Sequence, residues 1–417
     1  MEISRNFYLE QIREREKNGF VKVITGVRRS GKSYLLFKIF KRDLIDRGIL
    51  ENHIISIALD NIENKWLREP LVLYKNIKEQ IKDDGQYYVM LDEIQLVPDF
   101  SEVLNSLLQI ENLDVYATGS NSKFLSSDIL TEFRERGDEI RVYPLSFEEY
   151  VSAFNGTQDE AFNEYMTYGG LPQILSFNTD ERKAKYLTDL FKETYLKDLI
   201  EHNGIANTEE LEDLVNILAS SVGSLTNSTK LEKTFHSVAQ SSITNKTIKK
   251  YIDYLQDAFL VDIANRYDIK GKKYIGTPVK IYFVDIGLRN ARLGVRQIEE
   301  THLMENIIYN ELKRRGYAVD VGLVEVRETD SAGKRLRKQL EVDFIAYRGN
   351  NKYYIQSAFA LPDDEKKAQE EKPLLSIGDS FKKIVVVGNN IKLKRDDAGI
   401  TTMGIRQFLL DQHSLDL

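Results

Sequence analysis

The chain of 417 residues contains no cysteine. That excludes disulfides, thiolate zinc sites and cysteine nucleophiles together. Histidine is almost as scarce: His53, His202, His236, His302 and His413 are scattered, with no two at ligand spacing, which argues against a histidine-built zinc centre. A metal in such a chain has to be a hard, oxygen-bound ion such as Mg²⁺. No apolar run approaches the roughly 18 residues of a membrane span. The opening residues, Met1 to Asn6, lack the apolar core of a secretory signal. We therefore expect a cytoplasmic protein with no membrane partner. No low-complexity linker or internal repeat is present. The formal net charge of −7 argues against a uniformly basic nucleic-acid binder and leaves room only for local basic patches.

What is present is an ordinary globular composition, 42% hydrophobic and 29% charged, long enough for several separate cores. One loop organises the rest. Gly26-Val27-Arg28-Arg29-Ser30-Gly31-Lys32-Ser33 follows an apolar run (Phe20 to Ile24) and precedes a stretch, Tyr34 to Phe40, suited to a buried helix. Strand, glycine-rich loop and helix in that order form the phosphate-binding pattern G-x-x-x-x-G-K-[ST]. Its glycines let backbone N–H groups close around phosphate oxygens at a helix N-terminus. Lys32 is spaced to reach the β- and γ-phosphates of ATP, and the Ser33 hydroxyl to ligate Mg²⁺. Arg28 and Arg29 fit either phosphate contact or plain solvation.

Further strands are expected at His53 to Leu59, Tyr87 to Leu91, Val115 to Thr118 and Ile140 to Tyr143, separated mostly by helices. The fold class is thus α/β, with a largely parallel, doubly wound sheet over residues 1–145. The third of these strands ends in Asp92-Glu93: Asp92 suits Mg²⁺, and Glu93 suits a general base for the attacking water. If the Val115 strand lies between the other two, Ser120 or Asn121 at its end would sense the γ-phosphate. Arg136 is a candidate arginine finger, acting within its own subunit or on a neighbour in a homo-oligomer.

These stretches resemble the AAA-type predicted ATPases of bacteria and archaea that carry a C-terminal domain of unknown function. The matching segments are GVRRSGKS, YYVMLDEIQ, ATGSNS, YPLSFEEY, YGGLPQI, VDIGLRN, HLMENIIYNEL, EVDFIA and YYIQ, which run across almost the whole chain. Where relatives often have Gly-Arg, this chain has Glu135-Arg136. The resemblance implies an ATPase and names no substrate.

Residues 146–203 read as a helical lid or connector. Ser146 and Glu149 form a capping box, Gly169-Gly170-Leu171-Pro172 makes a break, and a helix is expected over about Asp180 to Glu201. In residues 204–290, helices begin near Asn207, Ser228 and Thr244. Two apolar runs, Leu260 to Ile263 and Val279 to Val284, then flank a Lys270-Gly271-Lys272-Lys273 turn. Three helices and a basic-tipped hairpin make a winged helix. Lys246, Lys249, Lys250, Lys272 and Lys273 could meet the phosphates of double-stranded DNA, or be solvated on a protein-contact face.

Residues 291–417 resemble a restriction-endonuclease-like domain of the PD-(D/E)xK type. Glu305 sits on a helix. A Gly349-Asn350 turn would set Asp343 opposite Gln356 and Glu341 opposite Ala358. Glu305, Asp343 and Gln356 are a candidate second metal site. Gln356 stands where an acid is usual and Ala358 where a lysine is, so the site reads as degenerate. Three functions compete: an ATP-hydrolysing switch that moves the two C-terminal parts, on DNA or not; an ATP-controlled metal-dependent nuclease; and a signalling or scaffolding ATPase that binds no nucleic acid.

Overall fold

A computed structural model describes residues 3–119, 136–239, 243–296, 299–329 and 335–417. The chain divides into two compact units. The first comprises Met1–Pro144 with Asp257–Phe259; the second comprises Leu145–Gln256 and Leu260–Leu417.

The first unit is built on five parallel strands: β1 (Val21–Thr25), β2 (Ile54–Ala58), β3 (Tyr87–Asp92), β4 (Leu113–Thr118) and β5 (Gly137–Arg141). Their order across the sheet is β2-β3-β4-β1-β5. Because side chains alternate along a strand, each strand feeds two cores. Val21, Val23, Ile57, Val89, Leu91, Val115 and Ala117 pack on one face. Ile24, Ile54, Tyr88, Met90, Tyr116 and Ile140 pack on the other, with Tyr8 and Ile12 of the N-terminal helix. Lys22 is a charge inside this apolar pattern. It is tolerated because its ammonium meets Asp114 and the Phe20 carbonyl, while the Tyr116 hydroxyl donates to Asp114 at 2.7 Å.

The second unit begins with helices. Ser146 and Glu149 form the expected capping box, and Thr157 and Glu160 form another. The helix expected over about Asp180 to Glu201 runs as Asp180–Leu190 and Lys197–Asn203, joined by a π-helical turn at Phe191–Leu196. Two of the family-like segments turn out to hold each other. The buried Asp285 caps the helix Ile286–Arg292 and accepts the Gly170 N–H at 2.8 Å. The Asn290 amide donates to the carbonyls of Met166 and Thr167, both at 2.9 Å. Gly287 is required there, since a Cβ would stand 2.0 Å from the Tyr168 carbonyl oxygen.

The remaining strands form one mixed sheet: β6 (Val261–Asp268), β7 (Lys273–Phe283), β8 (Ala318–Thr329), β9 (Arg335–Arg348), β10 (Asn351–Ala358), β11 (Lys382–Val387), β12 (Lys394–Arg395) and β13 (Ile400–Gly404). Its order is β12-β13-β11-β10-β9-β8-β6-β7. The β9–β10 register through Arg348–Asn351 is the one the Gly349-Asn350 turn sets. One feature departs from expectation. The β6–β7 hairpin, anticipated as the wing of a 204–290 segment, pairs in parallel with β8 through Arg266–Asp268 and Val321–Leu323. It is the end of the same sheet that carries the 291–417 segment, and the Lys270 ammonium donates to the Glu325 carbonyl at 2.9 Å.

Candidate nucleotide site and a second acidic cluster

The glycine-rich loop leaves the C-terminal end of β1 and enters a helix beginning at Lys32, which takes a π-helical turn at Leu35–Phe40 and continues to Asp46. Gly26 holds φ +128, and a Cβ on it would lie 2.1 Å from the Val142 carbonyl oxygen. Only glycine fits this close approach. Arg5 braces the loop from beneath, donating to the carbonyls of Ser30 at 3.0 Å and Tyr143 at 2.7 Å. Arg28 is half-buried and Arg29 exposed, the latter in the left-handed region at φ 67. The Lys32 side chain is buried and donates to the carbonyls of Gly26 (2.9 Å) and Val27 (3.0 Å). Burial pulls its pKa down to about 8, against the opposing pull of Glu93 and Asp92.

Because β4 lies between β1 and β3, its last residue reaches the acids at the end of β3. Thr118, which the sequence reading passed over, donates to the Asp92 carboxylate and accepts the Glu93 N–H at 3.1 Å. Ser33 donates to the same Asp92 oxygen at 3.0 Å. Burial raises the Asp92 pKa, against these two hydroxyl hydrogen bonds. Glu93 sits in the left-handed region (φ 54, ψ 47), uncommon for a glutamate, and the Gln95 amide donates to its carboxylate. Ser120 and Asn121 lie outside the described residues. Arg136 is exposed and donates to Asn105 at 3.4 Å. Its carbonyl accepts from Val21, the first residue of β1, whereas the loop follows the last. Five residues of strand span about 16 Å, so Arg136 stands at the end of the sheet remote from its own P-loop. Of the two alternatives for Arg136, this position favours a role toward a neighbouring copy over one within its own subunit.

The residues present fit a nucleotide with Mg²⁺. The loop is a cradle that a Cβ at Gly26 would spoil, and the fully buried Ser30 hydroxyl has no partner among the described residues. Among the described residues the Lys32 ammonium donates to two carbonyl oxygens, and Ser33 and Asp92 present hard oxygens side by side.

In the second unit, Glu305 on the helix Glu300–Arg314 and Asp343 on β9 do come together, around a residue the sequence reading left inside an apolar run. The Lys280 ammonium, from β7, lies 2.8 Å from Glu305, 2.7 Å from Glu341 and 3.3 Å from Asp343. The Tyr282 hydroxyl also donates to Glu305, at 2.6 Å, and the Ser357 N–H donates to Asp343 at 2.9 Å. Gln356 sits beside Asp343 as expected, but its side chain is already engaged. Its amide donates to Glu370 at 3.1 Å and its carbonyl faces the Asp343 N–H at 3.4 Å. Burial raises the pKa of Glu305 to about 7 and that of Asp343 above its usual value, each opposed by Lys280. The lysine is held protonated by its three acids, against the cost of burial. Among the described residues, no group of three or more His, Cys, Asp or Glu is placed to hold a metal ion.

Lys246, Lys249 and Lys250 are exposed on the helix Asn245–Asp257, and Lys250 lies 5.5 Å from the Tyr254 ring centre. Lys272 and Lys273 are exposed at the hairpin turn. Among the described residues, no helix is long and apolar enough to cross a membrane.

Comparison with known proteins places an AAA domain at residues 18–151 and a domain of unknown function at 159–299. An uncharacterized protein of Haemophilus influenzae is 34% identical over 414 residues, covering 98% of each chain. An uncharacterized protein of Methanocaldococcus jannaschii is 30% identical over 367 residues, covering 84% of this chain and 77% of the other. Among solved structures, the ORC1 protein of Aeropyrum pernix in complex with DNA matches 70% of this chain and 92% of that chain at 12% identity, with a TM-score of 0.28.

Proposed function

The chain belongs to the family of these uncharacterized relatives and carries an AAA domain, and we propose that it binds ATP with Mg²⁺ at the glycine-rich loop and hydrolyses it. The observation that carries this reading is Lys32. It is a buried cation whose hydrogen bonds go to two loop carbonyls and which, among the described residues, makes no ion pair. Such a charge is costly unless an anion joins it, and a triphosphate supplies one. Ser33 and Asp92 would hold the Mg²⁺, directly or through water; the ion, when bound, offsets phosphate charge. Glu93 accepts the proton of the attacking water as its oxygen bonds to the γ-phosphorus and the bridging P–O bond to the β-phosphate breaks. Lys32 stabilises the negative charge that accumulates on the phosphate oxygens. Thr118 keeps Asp92 aimed at Ser33.

Calorimetric titration with Mg·ATP tests the reading. The intact chain is expected to saturate. Lys32→Ala, shown folded by circular dichroism, should lose on the order of 10²–10³-fold in turnover. Glu93→Gln should bind ATP and hydrolyse it slowly. No saturation by the intact chain, or undiminished hydrolysis by Lys32→Ala, would refute the assignment.

A second reading concerns what the ATPase moves. The exposed lysines 246, 249 and 250 on one helix, and the bridge from Thr226 to Val279 of the hairpin strand β7, support a winged-helix element that meets DNA phosphates as the nucleotide changes. Binding to duplex DNA that falls steeply with salt, and less steeply after Lys246, Lys249 and Lys250 are changed to Ala, is the expected outcome. Arg136 acts on a nucleotide in this scheme only when presented by a second copy of the chain, which would make the ATPase rate per chain rise with protein concentration.

A further inference from the structure

We infer that the Lys280 ammonium is the resident cation of the acidic cluster in the second unit. It occupies the position a divalent metal would need, so that Glu305, Glu341 and Asp343 take no metal while it is there. An ammonium has three N–H donors and no acceptor, and three carboxylates surround this one. The spacings of 2.7 Å to Glu341 and 2.8 Å to Glu305 are those of charge-assisted hydrogen bonds, with Asp343 a looser contact at 3.3 Å. A metal ion would need its oxygens far closer, at about 2.0–2.1 Å for Mg²⁺ and about 2.3–2.6 Å for Ca²⁺.

Part of the remaining acceptor capacity is taken up too. The Glu305 oxygen that meets Lys280 also accepts from the Tyr282 hydroxyl, and the second Asp343 oxygen accepts from the Ser357 N–H. Gln356, the remaining candidate ligand, donates to Glu370 and faces the Asp343 N–H. Lys280 cannot easily step aside, because its side chain is only 4% exposed and its strand is hydrogen-bonded into the sheet. A divalent ion added beside it would face a fixed positive charge about 3 Å from an oxygen of each of the three acids.

The placement also says what became of the lysine missing at Ala358. A lysine working beside a metal in phosphodiester cleavage stands next to the ion and leaves the acids to bind it. Here the lysine comes from β7, two strands before β9 in the chain, and sits on the acids themselves. The cluster ties the hairpin strand β7 to the helix Glu300–Arg314 and to β9, and does so without metal.

The test uses Mn²⁺ followed by electron paramagnetic resonance, in the full-length, nucleotide-free chain with Asp92→Asn to silence the P-loop ligand. With Lys280 present, adding Asp343→Asn should change Mn²⁺ binding not at all. Lys280→Met, or the milder Lys280→Gln, should gain one site, on the order of 100-fold tighter than any binding by the Lys280-bearing chain, that Asp343→Asn abolishes. Asp343-dependent Mn²⁺ binding with Lys280 in place would overturn the inference. So would a folded Lys280→Met chain that gains no site. If neither lysine variant folds, the paired measurement on the Lys280-bearing chain still decides.

Discussion

Lys32 and Lys280 are both cut off from solvent, and the protein treats them in opposite ways. Lys32 faces two neutral carbonyls, and burial drags its pKa down to about 8. Lys280 faces three carboxylates and is held protonated against the same cost of burial. A buried cation hydrogen-bonded only to neutral carbonyls, with its acids too far to form an ion pair, has charge left over for an incoming anion. One among acids has spent it on the fold. The contrast is a better guide to which site binds a ligand than the presence of a motif, since both regions carry one.

The sharpest way to break the comparison is to take the charge from each lysine in turn. Lys280→Met strands three acids around an apolar chain and is expected to lower unfolding free energy by about 3–5 kcal/mol in urea denaturation. Lys32→Met removes a charge whose burial outweighs the pull of Glu93 and Asp92, so it should leave stability within about 1 kcal/mol of the parent or raise it. Equal losses would erase the distinction. A smaller effect belongs to Thr118→Val, which strips the hydroxyl linking Asp92 to the Glu93 N–H. Thermal unfolding should register a loss of about 1–2 kcal/mol, and turnover should demand more Mg²⁺. Unchanged Mg²⁺ dependence would make Thr118 merely structural.

The mildest expectation concerns pH. The folded-state pKa of Lys32, about 8, lies below its ordinary 10.5. Between those values the unfolded chain holds more protons, so stability contributed by this group rises with pH, by at most about 1.4 kcal/mol per unit. Compared with Lys32→Met, the parent chain should therefore gain stability as pH climbs from about 7 to about 9. A flat difference would mean that Lys32 is not desolvated as the geometry indicates.

Local chemistry was legible in the sequence and distant pairing was not. The glycine-rich loop and the Asp92-Glu93 pair announce themselves because spacing along the chain dictates their geometry. The Gly349-Asn350 turn likewise fixed the β9–β10 register, since a two-residue hairpin allows little choice. Thr118 escaped notice because its role depends on which strand lies between β1 and β3, while Ser120 and Asn121, the residues singled out at the end of that strand, lie outside the described residues. Arg136 was left open between its own and a neighbouring subunit for a related reason: nearness to a strand in sequence does not say which end of the sheet it occupies. Lys280 had a signal that went unused. A lone lysine in the apolar run Val279 to Val284 must find a counter-charge if the run is buried, as Lys22 found Asp114 in β1. The parallel pairing of β6 with β8 left no local trace, because its partners lie some fifty residues apart and each strand reads the same with or without it.

That pairing has an evolutionary corollary. A chain cut after the hairpin, near residue 290, would strip β8 from β6 and lay bare a row of unpaired amides and carbonyls, an invitation to sticky self-association. It would also leave Lys280 bereft of its acids. The helical and strand-rich halves of this unit are therefore poor currency for gene shuffling: they travel together, or the recipient inherits an adhesive edge.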